Sequence, residues 1–261
     1  MNPLSLVLIS LAACCIVMTL VWLWATRIKN AGVVDVFWAF NFPLIACLLY
    51  FLADGWEVRK TLICSMVVIA GLRLGLHLYA RVIGHLQEEE GRYKQLRLEW
   101  AGHENRNFFW FFQFQAISNV VLAIPFFLIA LHKNPVLQLV EQIGIGLWLI
   151  AVIGEGLADW QLSAFKKDPR NKGKVCDAGL WNYSRHPNYF FQSLMWFAYF
   201  LFALTAPWGL LAIISPLIIC YLLFKVTGIP ATEEQALRSK GDLYRKYQQT
   251  TSVFVPWFKK A

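Results

Sequence analysis

The apolar residues of this chain come in long blocks, and that feature limits its fold more than any other. A helix that crosses a bilayer needs roughly 20 consecutive, mainly apolar residues, and blocks of that kind recur along the sequence. The spacing predicts spans near Leu4–Thr26, Val33–Leu52, Thr61–Ile83, Phe108–Leu131, Val136–Leu157, Tyr189–Thr205 and Leu210–Val226. Polar or turn-forming connections separate them, the longest being Gly84–Asn107 and Ala158–Asn188, and beyond Val226 the chain is polar to its end. Only 15% of the residues are charged, against about a quarter in an average soluble domain. The expectation is an all-α polytopic membrane protein of about seven transmembrane helices, a single integral membrane domain over residues 1–261.

Lysine and arginine give the expected orientation, because cytoplasmic loops are enriched in them. With seven spans, 20 of the 24 fall on one side, within 27–29, 81–106, 166–185 and 225–260. Arg59, Lys60 and Lys133 fall on the other side, and Arg73 lies inside a span. This predicts an N-terminus outside and a C-terminus in the cytoplasm. The net charge of +8 then reflects basic residues beside anionic headgroups, and nucleic-acid binding is not expected. Five of the six cysteines fall within spans, and none has metal-ligand spacing or a disulfide context. Leu11-Ala12-Ala13-Cys14 looks like a lipoprotein cleavage site, but no basic residue precedes the apolar run, which reads instead as the first span.

Ionisable groups inside spans are costly and are functional candidates by default. Arg73, His77 and Arg81 recur every four residues and share one helical face, either lining a polar cavity that binds substrate or snorkelling to the headgroups. Asp35, within Val34-Asp35-Val36-Phe37-Trp38, opens the second span, as a functional acid or as a helix cap. Glu155 and Asp159 form a similar pair on the fifth span. Pro187 stands where a helix can begin, which puts Arg185, His186 and Asn188 at a helix N-terminus, a place that suits a phosphate or carboxylate. The alternative is an ordinary interfacial belt. After the seventh span, Thr232 is a candidate cap for a helix carrying Glu233, Glu234 and Arg238, either facing the preceding loop or lying on the membrane as an amphipathic helix.

Gly179-Leu180-Trp181 and Tyr183-Ser184-Arg185-His186-Pro187-Asn188-Tyr189, with the later Gly241, Tyr244, Tyr247 and Pro256-Trp257, resemble the C-terminal domain of the steroid 5-alpha-reductase superfamily. Val34–Trp38 and Glu90-Gly91-Arg92-Tyr93 extend the resemblance to its bacterial branch. That superfamily holds NADPH-dependent steroid and sterol reductases and S-adenosylmethionine-dependent methyltransferases of isoprenylcysteine or phospholipid. Neither uses a Gly-x-Gly-x-x-Gly loop, and none occurs here.

Within the resemblance, Asn188, Asp159 and the basic loop Lys166–Lys174 tilt the reading to a reductase that takes NADPH. Phe191-Gln192 departs from the Gly-Glu usual after Tyr-Phe, and Glu233-Glu234 resembles the acidic pair of the methyltransferases. The implied cofactor-binding part is about 155–261, with Asp159, Lys166, Arg170, Tyr183, Arg185, His186, Asn188, Tyr189, Glu234, Arg238, Tyr244 and Tyr247 as candidate contacts. Tyr93 is the candidate proton donor with Glu90 or Asp35 to orient it, and Trp38, Arg73 and His77 are candidate substrate contacts. The implied location is a bacterial inner membrane and the implied substrate lipid-like. S-adenosylmethionine-dependent methyl transfer and cofactor-free lipid binding or transport are the alternatives.

Overall fold

In the computed structural model, which describes residues 1–84, 86, 88, 89 and 91–259, the chain is helical throughout, with no β-strand among the described residues. Its contacts divide it into two compact units, Met1–Leu137 with Ala206–Leu211, and Gln138–Thr205 with Ala212–Ala261.

The first unit holds α1 (Pro3–Ile28), α2 (Val33–Leu52), α3 (Glu57–Ile83), α4 (Gly91–Glu99), α5 (Glu104–Leu122) and α6 (Ile124–Leu131). Asn2 caps α1, its Oδ1 accepting the Leu4 N–H at 2.9 Å, and Pro3 takes the first helical position, where its missing N–H costs nothing. Between α5 and α6 the axis bends by 41°, at a break just before Pro125. Proline supplies no N–H to the preceding turn, which accounts for the bend. Small residues set the spacing of α2 and α3: a Cβ on Gly71 would stand 2.4 Å from Pro43 and one on Gly75 2.3 Å from Phe40. Polar side chains join α2 to α5, Asn41 Nδ2 donating to Asn119 Oδ1 at 2.9 Å and Trp38 Nε1 to Ser118 Oγ at 3.0 Å. At the opposite end of α3, the fully buried Arg59 donates to the carbonyls of His132, Asn134 and Val136 and ties down the chain after α6.

The second unit holds α7 (Leu139–Lys167), α8 (Pro187–Ala203), α9 (Ile214–Tyr221), α10 (Ile229–Lys240) and α11 (Asp242–Thr250), with a wide turn over Leu222–Val226 after α9. Helices α7 and α8 pack closely through glycine: a Cβ on Gly144 would meet Phe202 N at 2.9 Å and Ala198 O at 3.0 Å, and one on Gly154 the Phe191 ring at 2.5 Å. Such close approach is how helices associate where lipid removes the hydrophobic drive. Trp148 Nε1 donates to the Tyr199 hydroxyl at 2.9 Å across the same seam.

Five helical runs are long and apolar enough to cross a membrane, α1, α2, α3, α7 and Gly209–Lys240, and α5 with α6 makes a sixth when counted as one bent span. In Gly209–Lys240 the apolar stretch ends near Val226, and α10 is polar. The sequence-based boundaries shift in three places. Helix α3 starts at Glu57, α7 continues to Lys167 beyond the end of its apolar stretch, and Phe108–Leu131 is two helices. The segment predicted as a span at Tyr189–Thr205 forms α8, whose 17 residues measure about 25 Å, so it is not among the runs that qualify.

Gly144→Leu should wedge α7 from α8 and destabilise the protein by about 1–3 kcal/mol, the usual effect of overpacking. Gly146, with open space where its Cβ would be, is the control, and thermal unfolding of the detergent-purified proteins should separate the two variants.

Candidate functional site

Two polar clusters stand out, one in each unit. In the first, the hydroxyl of Tyr93, on α4, donates to Asp35 Oδ1 at 2.7 Å. Tyr93 is wholly buried, and Arg81, at the end of α3, reaches the other Asp35 oxygen at 3.7 Å. Gly32, rather than Asp35, holds the capping position of α2, which leaves Asp35 in the first turn, turned to Tyr93.

A second carboxylate builds this arrangement. Glu89 is 8% exposed; its Oε1 accepts the Ala31 N–H at 2.7 Å, and Arg97 of α4 donates to both its oxygens at 2.8 and 2.9 Å. Asn30 adds a bond to the Leu86 carbonyl at 3.1 Å and accepts the Gly32 N–H at 2.9 Å. The short helix carrying Tyr93 is thus fastened to the turn that starts α2, the helix carrying Asp35. Burial alone would raise the Glu89 pKa, but the bonds from Arg97 and Ala31 outweigh it and hold the carboxyl below its ordinary range. Beside it opens a recess of about 300 Å³ lined by Asn30, Arg81, Glu88, Glu89 and Lys94 among others.

Of the other candidates in this unit, Glu90 lies outside the described residues. Trp38 is engaged with Ser118 and packs edge-on against Phe42 at 5.0 Å. Arg73 and His77 are half-buried on the α3 turns preceding Arg81.

In the second unit the Arg-His-Pro segment is read by the C-terminal helices. Pro187 opens α8 as expected, with His186 at its cap. Arg185 turns to α10 and α11, its Nε donating to Glu233 Oε1 at 2.6 Å and its Nη1 to the Gln248 and Thr251 carbonyls at 2.7 and 2.9 Å. Those carbonyls end α11, so Arg185 satisfies acceptors the helix leaves open. Glu233 also takes Gln248 Nε2 at 2.9 Å, His186 Nε2 at 3.3 Å and the Tyr244 hydroxyl at 3.5 Å. Burial opposes its ionisation, yet the bonds from His186, Arg185 and Gln248 bring its pKa from 4.5 to about 2. Burial, with the Glu233 charge beside it, pushes the Tyr244 hydroxyl well up. The buried Tyr247 hydroxyl donates to the carbonyls of Trp181 and Ser184.

Beside this node, Asn188 Nδ2 donates to Asp159 Oδ1 at 3.2 Å, joining α8 to α7, and the His186 and Tyr189 rings stack at 5.3 Å. The Tyr189 hydroxyl meets Thr232 Oγ1 at 3.1 Å. Thr232 is not the cap of α10; Gly228 is, and the Thr232 hydroxyl bonds back to the Gly228 carbonyl. The exposed Arg170 is clasped by Asp168, Lys166 is exposed, and Tyr183 packs edge-on against Phe258 at 6.0 Å.

Of the acidic pair, sequence reasoning chose Glu234, and the structure places the two members differently. Glu234 points outward to pair with Arg238, while Glu233 is the acid turned inward. Ile229, Glu233 and Leu237 repeat every four residues on one face, and following the two apolar members of that stripe would have selected Glu233. Glu89, Arg97 and Gln248 were also missed, because nothing local distinguishes them from solvated polar residues. Among the described residues no group of three or more His, Cys, Asp or Glu stands together to hold a metal ion.

Comparison with known proteins gives the lineage. The model of a family described as "Protein of unknown function (DUF1295)" matches residues 21–251. The chain belongs to the DUF1295 family. This is a steroid 5-alpha-reductase-like family, and its match takes in both polar clusters. An uncharacterized protein of the fission yeast Schizosaccharomyces pombe is 24% identical over 268 residues, covering 90% of this chain and 75% of the yeast protein. No solved structure matches.

Two outcomes follow for this DUF1295 chain. Glu89→Ala should free α4, seen as faster amide exchange over 91–99 and about 2–3 kcal/mol lost for the charged hydrogen bonds. Glu233→Ala should cost on the order of 3 kcal/mol, because it leaves Arg185 enclosed without its partner. The Glu233 contribution is full above about pH 4.5 and is lost as pH falls toward 2. A melting temperature that declines over that window in the wild type, and declines less in Glu233→Gln, is the expected result.

Proposed function

We propose that this chain is a membrane-embedded, NADPH-dependent reductase of a lipid-like enone. On this reading it crosses a bacterial cell membrane seven times, α8 being the short crossing, with the N-terminus outside and the C-terminus in the cytoplasm. The segregation of 20 of 24 basic residues supports the orientation. The observation that carries the chemistry is the buried Tyr93 hydroxyl held 2.7 Å from the partly exposed Asp35, which Arg81 also reaches.

Bound NADPH would supply hydride to the β-carbon of the enone. With substrate bound, the Tyr93 O–H, which here donates its one hydrogen to Asp35, would turn to the carbonyl oxygen and pass it the proton as charge gathers there. Asp35 orients the phenol, and Arg81 stands 3.7 Å from its other carboxylate oxygen. The enol so formed returns to the ketone as a proton from water joins the α-carbon and the enol O–H proton goes back to Tyr93, so that the net uptake is one hydride and one proton.

The residues of the second unit fit an adenosine-bearing cofactor in part. Asp159, Asn188 and Tyr189 keep polar atoms on partly exposed faces of α7 and α8, and the exposed Lys166 suits a 2′-phosphate. Arg185, His186, Tyr244 and Tyr247 are engaged with one another or with Glu233 and the backbone, which makes them the frame of the site. Glu234, Arg238 and Arg170 face outward in their own pairs. One observation favours the second reading, S-adenosylmethionine-dependent methyl transfer to a lipid: Glu233 is an inward acid from the pair that resembles the methyltransferases.

Titration of the detergent-purified protein with NADPH and with S-adenosylmethionine separates the readings. The reductase predicts NADPH binding that weakens in Asn188→Ala and Asp159→Asn. Tyr93→Phe should keep that binding while enone reduction falls about 10²–10⁴-fold, the usual contribution of a positioned acid. Binding of S-adenosylmethionine alone would replace this reading with methyl transfer, and binding of neither would leave lipid binding or transport.

A further inference from the structure

Residues 251–259 form an extended segment after α11, held against residues 183–185. The Ser252 carbonyl accepts the Arg185 N–H at 2.8 Å, the Phe254 carbonyl accepts the Ser184 hydroxyl at 2.8 Å, and the Tyr183 carbonyl accepts the Trp257 N–H at 2.9 Å. Phe254 turns inward, its ring 5.6 Å from Phe190 and 4.7 Å from Phe224. These contacts fix the level of the segment. Phe190 belongs to the first turn of the apolar α8, and Phe224 closes the apolar stretch that begins at Gly209. The segment therefore lies where two apolar helices give way to polar chain.

Its other side is uncovered. Val255 is 54%, Trp257 68% and Phe258 74% exposed, and Lys259 follows them, its ammonium 3.5 Å from Asp177 in a surface pair of the kind that holds a side chain only weakly. Lys225, next to Phe224, is exposed at the same level. The segment also walls an open groove of about 510 Å³ with Arg185 and Gln248. Aromatic rings with an adjacent lysine, held where apolar helices end, match the bilayer's headgroup zone: the rings favour the interface and the ammonium groups favour anionic phosphates.

We propose that 251–259 is an interfacial anchor that inserts Trp257 and Phe258 among the headgroups of the surrounding bilayer, with Lys225 and Lys259 on anionic lipid. Because the same segment pairs with Arg185 and Ser184, the lipid contact braces the Glu233 node from outside. This does not depend on which reaction the protein performs.

The test is fluorescence of the full chain in nanodiscs of phosphatidylcholine, with and without phosphatidylglycerol and with acyl chains brominated near the headgroup. Subtracting the spectrum of Trp257→Phe isolates Trp257. An unchanged gel-filtration profile shows that the variant, an exposed aromatic exchanged for another, has folded. The expected difference spectrum is blue-shifted, quenched by the brominated lipid and shielded from aqueous iodide. Quenching should deepen in the anionic discs, and Lys259→Gln should remove that increment. A Trp257 signal quenched by iodide and untouched by brominated lipid overturns the proposal. Shielding from both quenchers found only in discs holding two chains also overturns it, and assigns the face to a second copy.

Discussion

In a bilayer core there is no water to satisfy a backbone amide, so each segment must close its hydrogen bonds within itself. This requirement makes the chain helical, and it also changes what holds the helices together. Leucine on a helix face gains nothing by exchanging lipid for another leucine, so association rests on close approach and polar pairing. Glycine supplies the approach at Gly71, Gly75, Gly144 and Gly154, and the Asn41–Asn119 and Trp148–Tyr199 pairs supply the polar links.

The same constraint shapes the ends of the helices, where charge is tolerated if it is answered. In each unit an enclosed carboxylate has arginine against it, Glu89 with Arg97 and Glu233 with Arg185. Neither arginine is free to act as a simple anion receptor. Each fastens elements distant in sequence, α4 to the start of α2 in one case and α10 and α11 to the start of α8 in the other. The reactive candidates stand next to these fasteners, Tyr93 with Asp35 in the first unit and Asn188 with Asp159 in the second. Rigid support beside a partly exposed polar pair is what a positioned acid or a cofactor contact needs.

Much of this was legible in the sequence, and the limits have physical causes. Apolar blocks located the long helices because a bilayer span has a minimum length, and Pro187 marked the start of α8 because proline suits a first helical position. Asp35 was singled out as an ionisable residue in a span and Tyr93 by resemblance, and the fold brings the two together across 58 residues of sequence. The bend before Pro125 was not anticipated, since hydropathy averages over a window and does not register where a helix breaks.

The sequence by itself determined that the chain is helical, that several of its stretches are long and apolar enough to cross a membrane, and which segments carry its polar chemistry, because these follow from composition and local spacing. Only the tertiary structure decided which member of a polar set faces inward. Adjacent residues such as Glu233 and Glu234 point about 100° apart on a helix, and their fates depend on partners that the chain delivers from elsewhere. For Glu233 those partners are Arg185, His186 and Gln248; for Glu89 they are Ala31 and Arg97. No local pattern encodes such meetings, and so the frame of each site became visible only once the helices had packed.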